Sequence, residues 1–499
     1  MSDTFSMPKW EAFDEELFLR RVRPANWSNP APREIYDLII IGAGPAGLVA
    51  ADAAIALGCS VALIERNRLG GNSLNVGSIP SKSIIRAGRL CAAAREAAEL
   101  GATDTAAFQM NYGIVLARMH RIRARIAEYH SAERLAAEGV DLFFGGAHFT
   151  ASNMIEVAGA SLRFKKALIA TGARPATANI GGLEKIEYRT STTIFEMAQL
   201  PKRLAVIGGG PLGCEMAQAF CRLGSNVSII EENPKFLPRD ERDAAEILSR
   251  SMARDGVEIR LNTTVRAVRL ENGVKVLETV NAGIKDEVKC DEILLSVGRV
   301  PNIDMLNLEA AGVSMEVNRG VTVDTCMRTT NPDIYAAGDV CMDLKFSNAA
   351  AASARVAVHN ALASGTDTLD PTIIPWCTFC EPEVAHIGMH IWEAREDAIP
   401  VKTYTVMMQD IDRAITDGQD LGFVKIHTKI GTDEILGATI VSSRASEMIN
   451  ELAVIMSAGI GMTQLANIVH TYPAQSEAIM LAGLAYRKDQ VLAQRRVDR

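Results

Sequence analysis

Two glycine-rich turns, each followed at a fixed distance by an acid, are the residues of this chain that most plainly could do chemistry. Gly42, Gly44 and Gly47 open YDLIIIGAGPAGLVAADAAIALGCSVALIE, which ends at Glu65; Gly208, Gly210 and Gly213 open RLAVIGGGPLGCEMAQAFCRLGSNVSIIEE, whose corresponding acid is Glu231. In both copies the acid follows the first glycine by 23 residues (65 − 42 and 231 − 208). That spacing suits a dinucleotide. The first glycine makes a tight turn, the second lets the backbone approach a pyrophosphate, and the third lets helix and strand pack. The helix N-terminus offers unpaired amides and a partial positive charge, and the acid accepts from ribose hydroxyls. Glycine turns also join strands to helices for steric reasons alone. Here each copy has a strand before it, a helix after it, a second strand and the terminal acid, so the repeat implies two βαβ dinucleotide folds.

The second acid also bears on which nucleotide binds. A carboxylate at the ribose position repels the extra phosphate of NADP, which asks for an arginine. Glu231 and Glu232 follow Ile230, and no arginine comes before Arg239. NADH is therefore expected in preference to NADPH.

Other stretches must position these turns. The first copy reads as a strand over Leu38 to Ile41 and another over Val61 to Ile64. ALIATGARP, from Ala167 to Pro175, is a short apolar strand running into a Thr-Gly turn. IYAAGDV, from Ile334 to Val340, is another strand ending at Gly338 and Asp339, where Asp339 could simply cap a helix starting after Phe346. KTYTVMM, GFVKIHT and EILGATIVSS read as antiparallel strands, and SEMINELAVIMSAG places Met448, Leu452 and Ile455 on one helical face, a core or subunit-interface stripe.

Taken in order, GAGPAG, GGNSLNVGSIPSK (Gly70 to Lys82), ATG, GGGPLGCE, VGRVPN, AAGD, PWCTFCEPEVAHIG and HTYPAQSE resemble the flavin-dependent pyridine nucleotide-disulfide oxidoreductases. The branches concerned are dihydrolipoamide dehydrogenase, glutathione reductase and, most closely, the mercuric-reductase-like enzymes. The resemblance runs from about Tyr36 to Tyr486. It implies an α/β chain with two Rossmann-like dinucleotide-binding domains, for FAD and NAD, and a C-terminal α+β dimerisation domain, acting as a homodimer. The expected boundaries are an extension at 1–35, FAD-binding segments at 36–180 and 300–370, a nucleotide domain at 181–299 and the dimerisation domain at 371–499. Carried over, Gly42, Gly44, Gly47 and Glu65 hold the ADP half of FAD, Thr171 and Gly172 line the flavin site, and Asp339 binds the ribityl chain. Gly208, Gly210, Gly213 and Glu231 hold NADH, while Lys82 and Glu215 meet beside the flavin. A fixed cation there stabilises the negative charge that a reduced ring gains, and the carboxylate orients the ammonium.

The departures are as informative. In the family's loop two cysteines relay electrons; here Ser73 and Ser78 stand in their places. Serine forms no disulfide and supplies no anion near neutrality. The family's common ending, HxHPTxSE, puts a histidine acid-base before the proline, whereas HTYPAQSE has Tyr472 there and Ala474 in place of Thr. Tyrosine, with a reference pKa of about 10, is a poor base but a serviceable donor. Glu477 stands where the orienting carboxylate belongs, and in the resemblance Tyr472 and Glu477 complete the other subunit's site. His470, two residues before Tyr472, would point the same way in an extended segment and reads as structural. The C-terminal LAQRRVDR has no vicinal cysteines of the kind that pass metal inward in mercuric reductases. Cys377 and Cys380 form a CxxC in a short apolar stretch where positions three apart face opposite sides, which argues against a disulfide or zinc half-site. Cys214 reads as a small buried residue. No metal site is expected.

The composition bounds the rest. The chain has 499 residues, 48% of them hydrophobic and 22% charged, with net charge −8, and needs several cores. No general basic field is present to attract nucleic acid or an anionic membrane. Nine cysteines without framework spacing favour a reducing compartment, and the N-terminus has no signal-peptide core, so a cytoplasmic protein without membrane insertion is expected. Trp10, Phe13 and Leu17 suggest a surface-packed helix in the extension. The leading function is transfer of hydride from NADH to FAD and on to a small quinone-like acceptor, or a transhydrogenase or diaphorase reaction. The alternatives are a Cys-to-Ser form of a thiol-type reductase and a non-catalytic flavin-bound scaffold or sensor.

Overall fold

Apolar runs rich in Ile, Val and Leu have no polar face to give to water, and such runs become strands covered on both sides. The structure, a computed structural model, describes residues 9–97, 100–102 and 110–497. It divides into two units, the first formed by the chain up to 178 with 189–200 and 297–369, the second by 179–188, 201–296 and 370–499.

In the first unit a parallel sheet runs in the order Asp141–Phe144, Val61–Glu65, Tyr36–Ile41, Ala160–Ile169, Ile334–Ala336. The first half of Ala160–Ile169 also pairs antiparallel with Met154–Val157, which pairs with Ala147–Ala151. Alternate side chains enter two different cores. Leu38, Ile40 and Leu63 meet the alanines of helix Pro45–Ala56 and of helix Ser347–Leu362 on one face, while Ile39, Ile41 and Ile64 meet Phe143, Phe149 and Phe164 on the other. The extension does form a helix, Lys9–Val22, in which Phe18 and Val22 are buried. The side chains of Trp10 and Phe13 lie outside the described residues.

The second unit repeats the parallel pattern with Glu258–Arg260, Asn226–Ile230, Arg203–Ile207 and Glu292–Leu295, and adds an antiparallel sheet of Thr263–Glu271, Val274–Asn281 and Ile284–Cys290. Its C-terminal part is a five-stranded antiparallel sheet, in the order Trp376–Thr378, Glu383–Gly388, Ile435–Ser442, Phe423–Lys429, Val401–Met407. The three strands expected there are present, and Met448, Leu452 and Ile455 of helix Ala445–Ser457 belong to the core beneath them. Glu241, almost fully buried, joins the two parts of this unit: it accepts from the Ile391 amide at 3.0 Å and lies 3.3 Å from His427 and 3.7 Å from Lys425. Among the described residues no helix is long and apolar enough to cross a membrane.

The two glycine turns are built alike. Gly42 and Gly208 have φ of +106° and +102°, and a Cβ on them would lie 2.4 Å from the Ala170 oxygen and 2.6 Å from the Ser296 oxygen. At Gly47 and Gly213 a Cβ would fall 1.8 Å and 2.2 Å from the carbonyl oxygens of Gly42 and Gly208. The third glycine is thus required chiefly by the carbonyl of the first, within the turn itself, and less by helix-on-strand packing. At Gly210, by contrast, a Cβ would meet nothing within 4 Å, and its φ of −73° suits any residue.

These two glycines should therefore separate in a stability measurement. Gly213→Ala is expected to lose about 3 kcal/mol or more, since neither backbone atom can give way. Gly210→Ala is expected to stay within about 0.5 kcal/mol of the parent. Urea unfolding of the ligand-free proteins, followed by circular dichroism, reads the difference.

Candidate functional site

The acids that end the second strands do more than wait for a ligand. Glu65 accepts from the Ala43 amide at 2.9 Å and from the Asn67 amide at 2.7 Å. Glu231 accepts from the Gly209 amide at 2.6 Å and from the Asn233 amide at 2.7 Å. In each repeat one oxygen holds the residue after the first glycine and the other holds the residue two places further along. Burial pushes the Glu65 carboxyl up from its ordinary value, against the two amide bonds and the nearby Arg66 and Arg23 charges. Helices Pro45–Ala56 and Pro211–Leu223 begin at glycines with no side-chain cap, so their first-turn amides are open to an anion. The nearest atom to a Cβ on Gly44 would be 3.7 Å away, and Gly210 faces open space. Both cradles have the donors and the room that a pyrophosphate needs.

Around the first turn three further segments converge. The Thr171 hydroxyl donates to the Asn302 carbonyl at 2.7 Å, the Asn302 amide donates to the Gly172 carbonyl at 2.9 Å, and the Asn302 side chain returns a bond to the Thr171 carbonyl at 2.9 Å. Strands Ala173–Pro175 and Arg299–Pro301 continue this pairing antiparallel. The Ala173 carbonyl then receives both the Asn72 side chain, at 2.6 Å, and the Arg299 guanidinium, at 3.0 Å. Arg299 also pairs with Asp339 at 2.5 Å. Asp339 does not cap helix Ser347–Leu362, which starts without a side-chain cap; it sits in the short turn Gly338–Val340, and a Cβ on Gly338 would lie 3.5 Å from that of Ala46 in the first glycine helix. Arg299 lies inside VGRVPN, yet no spacing rule marks it. It is found only once 173, 299 and 339 are seen together.

The stretch Gly70–Lys82 folds as a five-residue helix, Gly71–Asn75, and the start of a long one, Ser78–Glu96. Ser73 is in the first and half-buried; Ser78 opens the second and is exposed; Lys82 is half-buried one turn on. Gly77 presses on the first helix, since a Cβ there would be 2.8 Å from the Asn72 oxygen and 3.5 Å from the Ser73 Cα. The backbones bearing the two serines are therefore held together. Gly70 donates to the Ala43 carbonyl at 2.8 Å, which ties the stretch to the first glycine turn.

Lys82 belongs to the first unit and Glu215 to the second. Glu215 is buried in helix Pro211–Leu223 and accepts from the Phe379 amide at 3.0 Å. All nine cysteines are free thiols. The strand expected through WCTFC stops at Thr378, leaving Cys380 buried in the following turn, and Cys214 is buried with its sulfur on the Gly209 carbonyl. In HTYPAQSE, His470 bonds Glu451 at 2.6 Å, whereas the Tyr472 hydroxyl donates to Asp412 at 2.6 Å; the two side chains end on different acids because the chain bends between them. Tyr472 is 67% exposed, and Glu477 begins the last helix. Gln475, which the sequence did not single out, is buried on Ser442 and Ser443 and anchors this turn to the C-terminal sheet. A cavity of about 520 Å³ in the second unit is lined by Lys235, Glu241, Trp392 and His427 among others, and by none of the residues expected at the site. Among the described residues no group of three or more His, Cys, Asp and Glu side chains is arranged to hold a metal ion.

The chain matches the family described as pyridine nucleotide-disulphide oxidoreductase over residues 36–362, and the dimerisation domain of the same family over 374–482. It is 32% identical to mercuric reductases from Lysinibacillus sphaericus, over 91% of this chain and 83% of the relative, and from Streptomyces lividans, over 91% and 97%. Dihydrolipoyl dehydrogenase from Bacillus subtilis is also 32% identical, over 89% and 95%. Among solved structures, LpdA from Mycobacterium tuberculosis has a TM-score of 0.83 at 26% identity, over 90% of this chain and 99% of that one. The Cu(II) complex of the HOCl-induced flavoprotein disulfide reductase RclA from Escherichia coli has a TM-score of 0.79 at 26% identity, over 91% and 100%.

The acid-to-amide bonds make a test that needs no ligand. Glu65→Ala leaves two loop amides without their acceptor and is expected to lower the urea-unfolding free energy of the ligand-free chain by about 1–3 kcal/mol. Glu65→Gln, which keeps one carbonyl acceptor, is expected to lose less. Equal stability of all three proteins would overturn the role of this acid in holding the turn.

Proposed function

The chain belongs to the pyridine nucleotide-disulphide oxidoreductase family and is an FAD-dependent pyridine nucleotide oxidoreductase with a dimerisation domain; from that premise we propose that it takes electrons from NADH and delivers them directly to a small oxidised acceptor, with no disulfide between. The observation that carries this reading is Ser73 and Ser78 at the two places where the family resemblance expects redox cysteines, in a stretch with no cysteine at all. A serine hydroxyl can donate a hydrogen bond to a quinone-like carbonyl, but it cannot relay electrons.

When bound, the nicotinamide and flavin rings supply hydride transfer. The chain's own residues bind, orient and tune. Gly42, Gly44, Gly47 and Glu65 hold the ADP half of FAD, Thr171 and Gly172 line its middle, and Asp339 takes the ribityl chain, with Arg299 fixing that carboxylate. Gly208, Gly210, Gly213 and Glu231 hold the second nucleotide. Glu231 followed by Glu232 disfavours a 2′-phosphate, which supports NADH over NADPH. Lys82 presents a cation to the flavin and Glu215 orients it. Ser73, Ser78 and the partner subunit's Tyr472 and Glu477 line the acceptor side, and the exposure of Tyr472 in the single chain is what a residue serving a neighbouring subunit needs. The domain boundaries are those read from the sequence, at 36–180, 181–299, 300–370 and 371–499 behind an extension at 1–35.

A second reading, a Cys-to-Ser form of a thiol-type reductase, is favoured by Gly77, the residue before Ser78, where a Cβ would fall 3.5 Å from the Ser73 Cα, so that the two serine-bearing turns pack closely. One set of measurements separates the two. Under anaerobic conditions NADH is expected to bleach the bound flavin at least tenfold more efficiently than NADPH, and a quinone is expected to restore its colour within the same mixing experiment. No bleaching by NADH would sink the direct-transfer reading. In the Ser73→Cys, Ser78→Cys double variant, appearance of disulfide reductase activity would favour the second reading, and its absence the first.

A further inference from the structure

The helix Lys9–Val22 precedes the segment that matches the family, yet it bonds the residue just before the stretch bearing Ser73 and Ser78 and reaches Asn75 within it through Arg123. The Val22 carbonyl accepts from the Leu69 amide at 3.0 Å, next to Gly70. Arg123, from helix Tyr112–Ile126, donates to the Asn75 carbonyl at 3.2 Å, two residues past Ser73. Arg123 is itself held by the extension: its guanidinium pairs with Glu15 and lies over the Phe18 ring, 4.3 Å from the centroid. His120 bonds the same Glu15 oxygen at 3.2 Å. Phe18 and Val22 are fully buried in the apolar cluster that also holds Leu69 and Leu74. Asn75 passes the contact on, because its side chain donates to the Leu69 carbonyl at 2.9 Å and to the Gly71 carbonyl at 2.7 Å. Gly71 in turn lies against Gly44, where a Cβ on it would be 2.6 Å from the Gly44 Cα.

A guanidinium that is only 7% exposed must keep its partners, since removing one leaves a charge without compensation. Burial alone would raise the Glu15 carboxyl, but hydrogen bonds and charge from His120 and Arg123 bring it down to about 2, so it is ionised wherever Arg123 needs it. Arg68 and Glu196 are the further charges near Arg123, and Asp14 pairs with Arg121 alongside. A surface helix that merely covered apolar area would need none of this polar wiring.

We propose that the helix Lys9–Val22 is a positioning element for the flavin site: through Glu15, Arg123 and Asn75 it fixes the Gly70–Lys82 stretch against the first glycine turn and so sets where Ser73, Ser78 and Lys82 meet the flavin. Arg123 and Glu15 act through the stretch and touch neither cofactor nor acceptor. The inference rests on the reading above that this stretch borders the flavin.

The test compares full-length holoproteins carrying Arg123→Gln, Arg123→Lys, Glu15→Gln and Lys82→Gln, with Arg33→Gln as a control that removes an extension ion pair, to Asp141, away from the stretch. The readouts are FAD affinity by fluorescence, the visible flavin spectrum and midpoint potential, and hydrogen exchange of residues 69–82. Arg123→Gln and Glu15→Gln are expected to weaken FAD binding about tenfold, shift the flavin spectrum and raise exchange over 69–82. Arg123→Lys should recover much of the spectrum, and Arg33→Gln should move nothing. Should Arg123→Gln fail to fold, Glu15→Gln carries the same comparison from the more exposed end. A shift with Lys82→Gln but none with Arg123→Gln or Glu15→Gln overturns the brace and leaves the flavin reading standing. No shift with any of the three overturns both.

Discussion

A carboxylate that ends one strand and grips the turn of its neighbour is the contact on which both nucleotide folds depend. Without an acceptor, the amide after the first glycine would face the strand ends unpaired, at a cost of about 1–3 kcal/mol. Glu65 and Glu231 satisfy it with the same oxygen in the same place, and the second oxygen of each takes the amide two residues on. The remaining lone pairs of each carboxylate are then aimed by the fold. An acid assigned to ribose hydroxyls is thereby oriented before any ribose arrives, which reduces the entropy that binding must overcome.

From that contact the rest of the first unit follows as a set of backbone approaches. The Gly42 carbonyl fills the space a Cβ would need at Gly47, so the helix starts hard against the strand end with its first amides facing outward. Gly70 bonds Ala43, and Gly71 lies on Gly44, so the Ser73 and Ser78 stretch is fastened to the same turn. The Ala173 carbonyl collects Asn72 and Arg299, and Arg299 carries the link to Asp339. Four segments far apart in sequence are joined by bonds to backbone oxygens, which any side chain of suitable reach could make. This is why the Gly70–Lys82 stretch can stay fastened to the first glycine turn with serines at positions 73 and 78.

The features of the candidate site whose local structure was legible in the sequence share one property: their steric cause lies within a single local segment. A tight turn needs a glycine at positive φ wherever it occurs, and a parallel strand covered on both faces needs an unbroken apolar run, so Gly42, Gly208, Ile39 to Ile41 and Leu204 to Ile207 could be read from spacing alone. The paired acids were legible for the same reason, although their bonds to the turn were not. For Asp339 the sequence left a helix cap open beside a site role, because a helix start and an ion pair both ask for an aspartate in such a place, and only Arg299, forty residues earlier in the chain, marks the ion pair.

By itself, then, the sequence determined the two βαβ turns, their acids, the C-terminal strands and the absence of cysteine from the Gly70–Lys82 stretch, because each follows from local periodicity or residue identity. Tertiary structure alone decided that Arg299 holds Asp339, that Gln475 anchors the HTYPAQSE turn, that Asn72 and Arg299 share the Ala173 carbonyl, and that Arg123 links Glu15 to Asn75. Those six contacts span 33 to 126 residues of chain, and three of them end on backbone carbonyls. Since every residue offers the same carbonyl, no side-chain pattern in the sequence can announce where a distant donor will land.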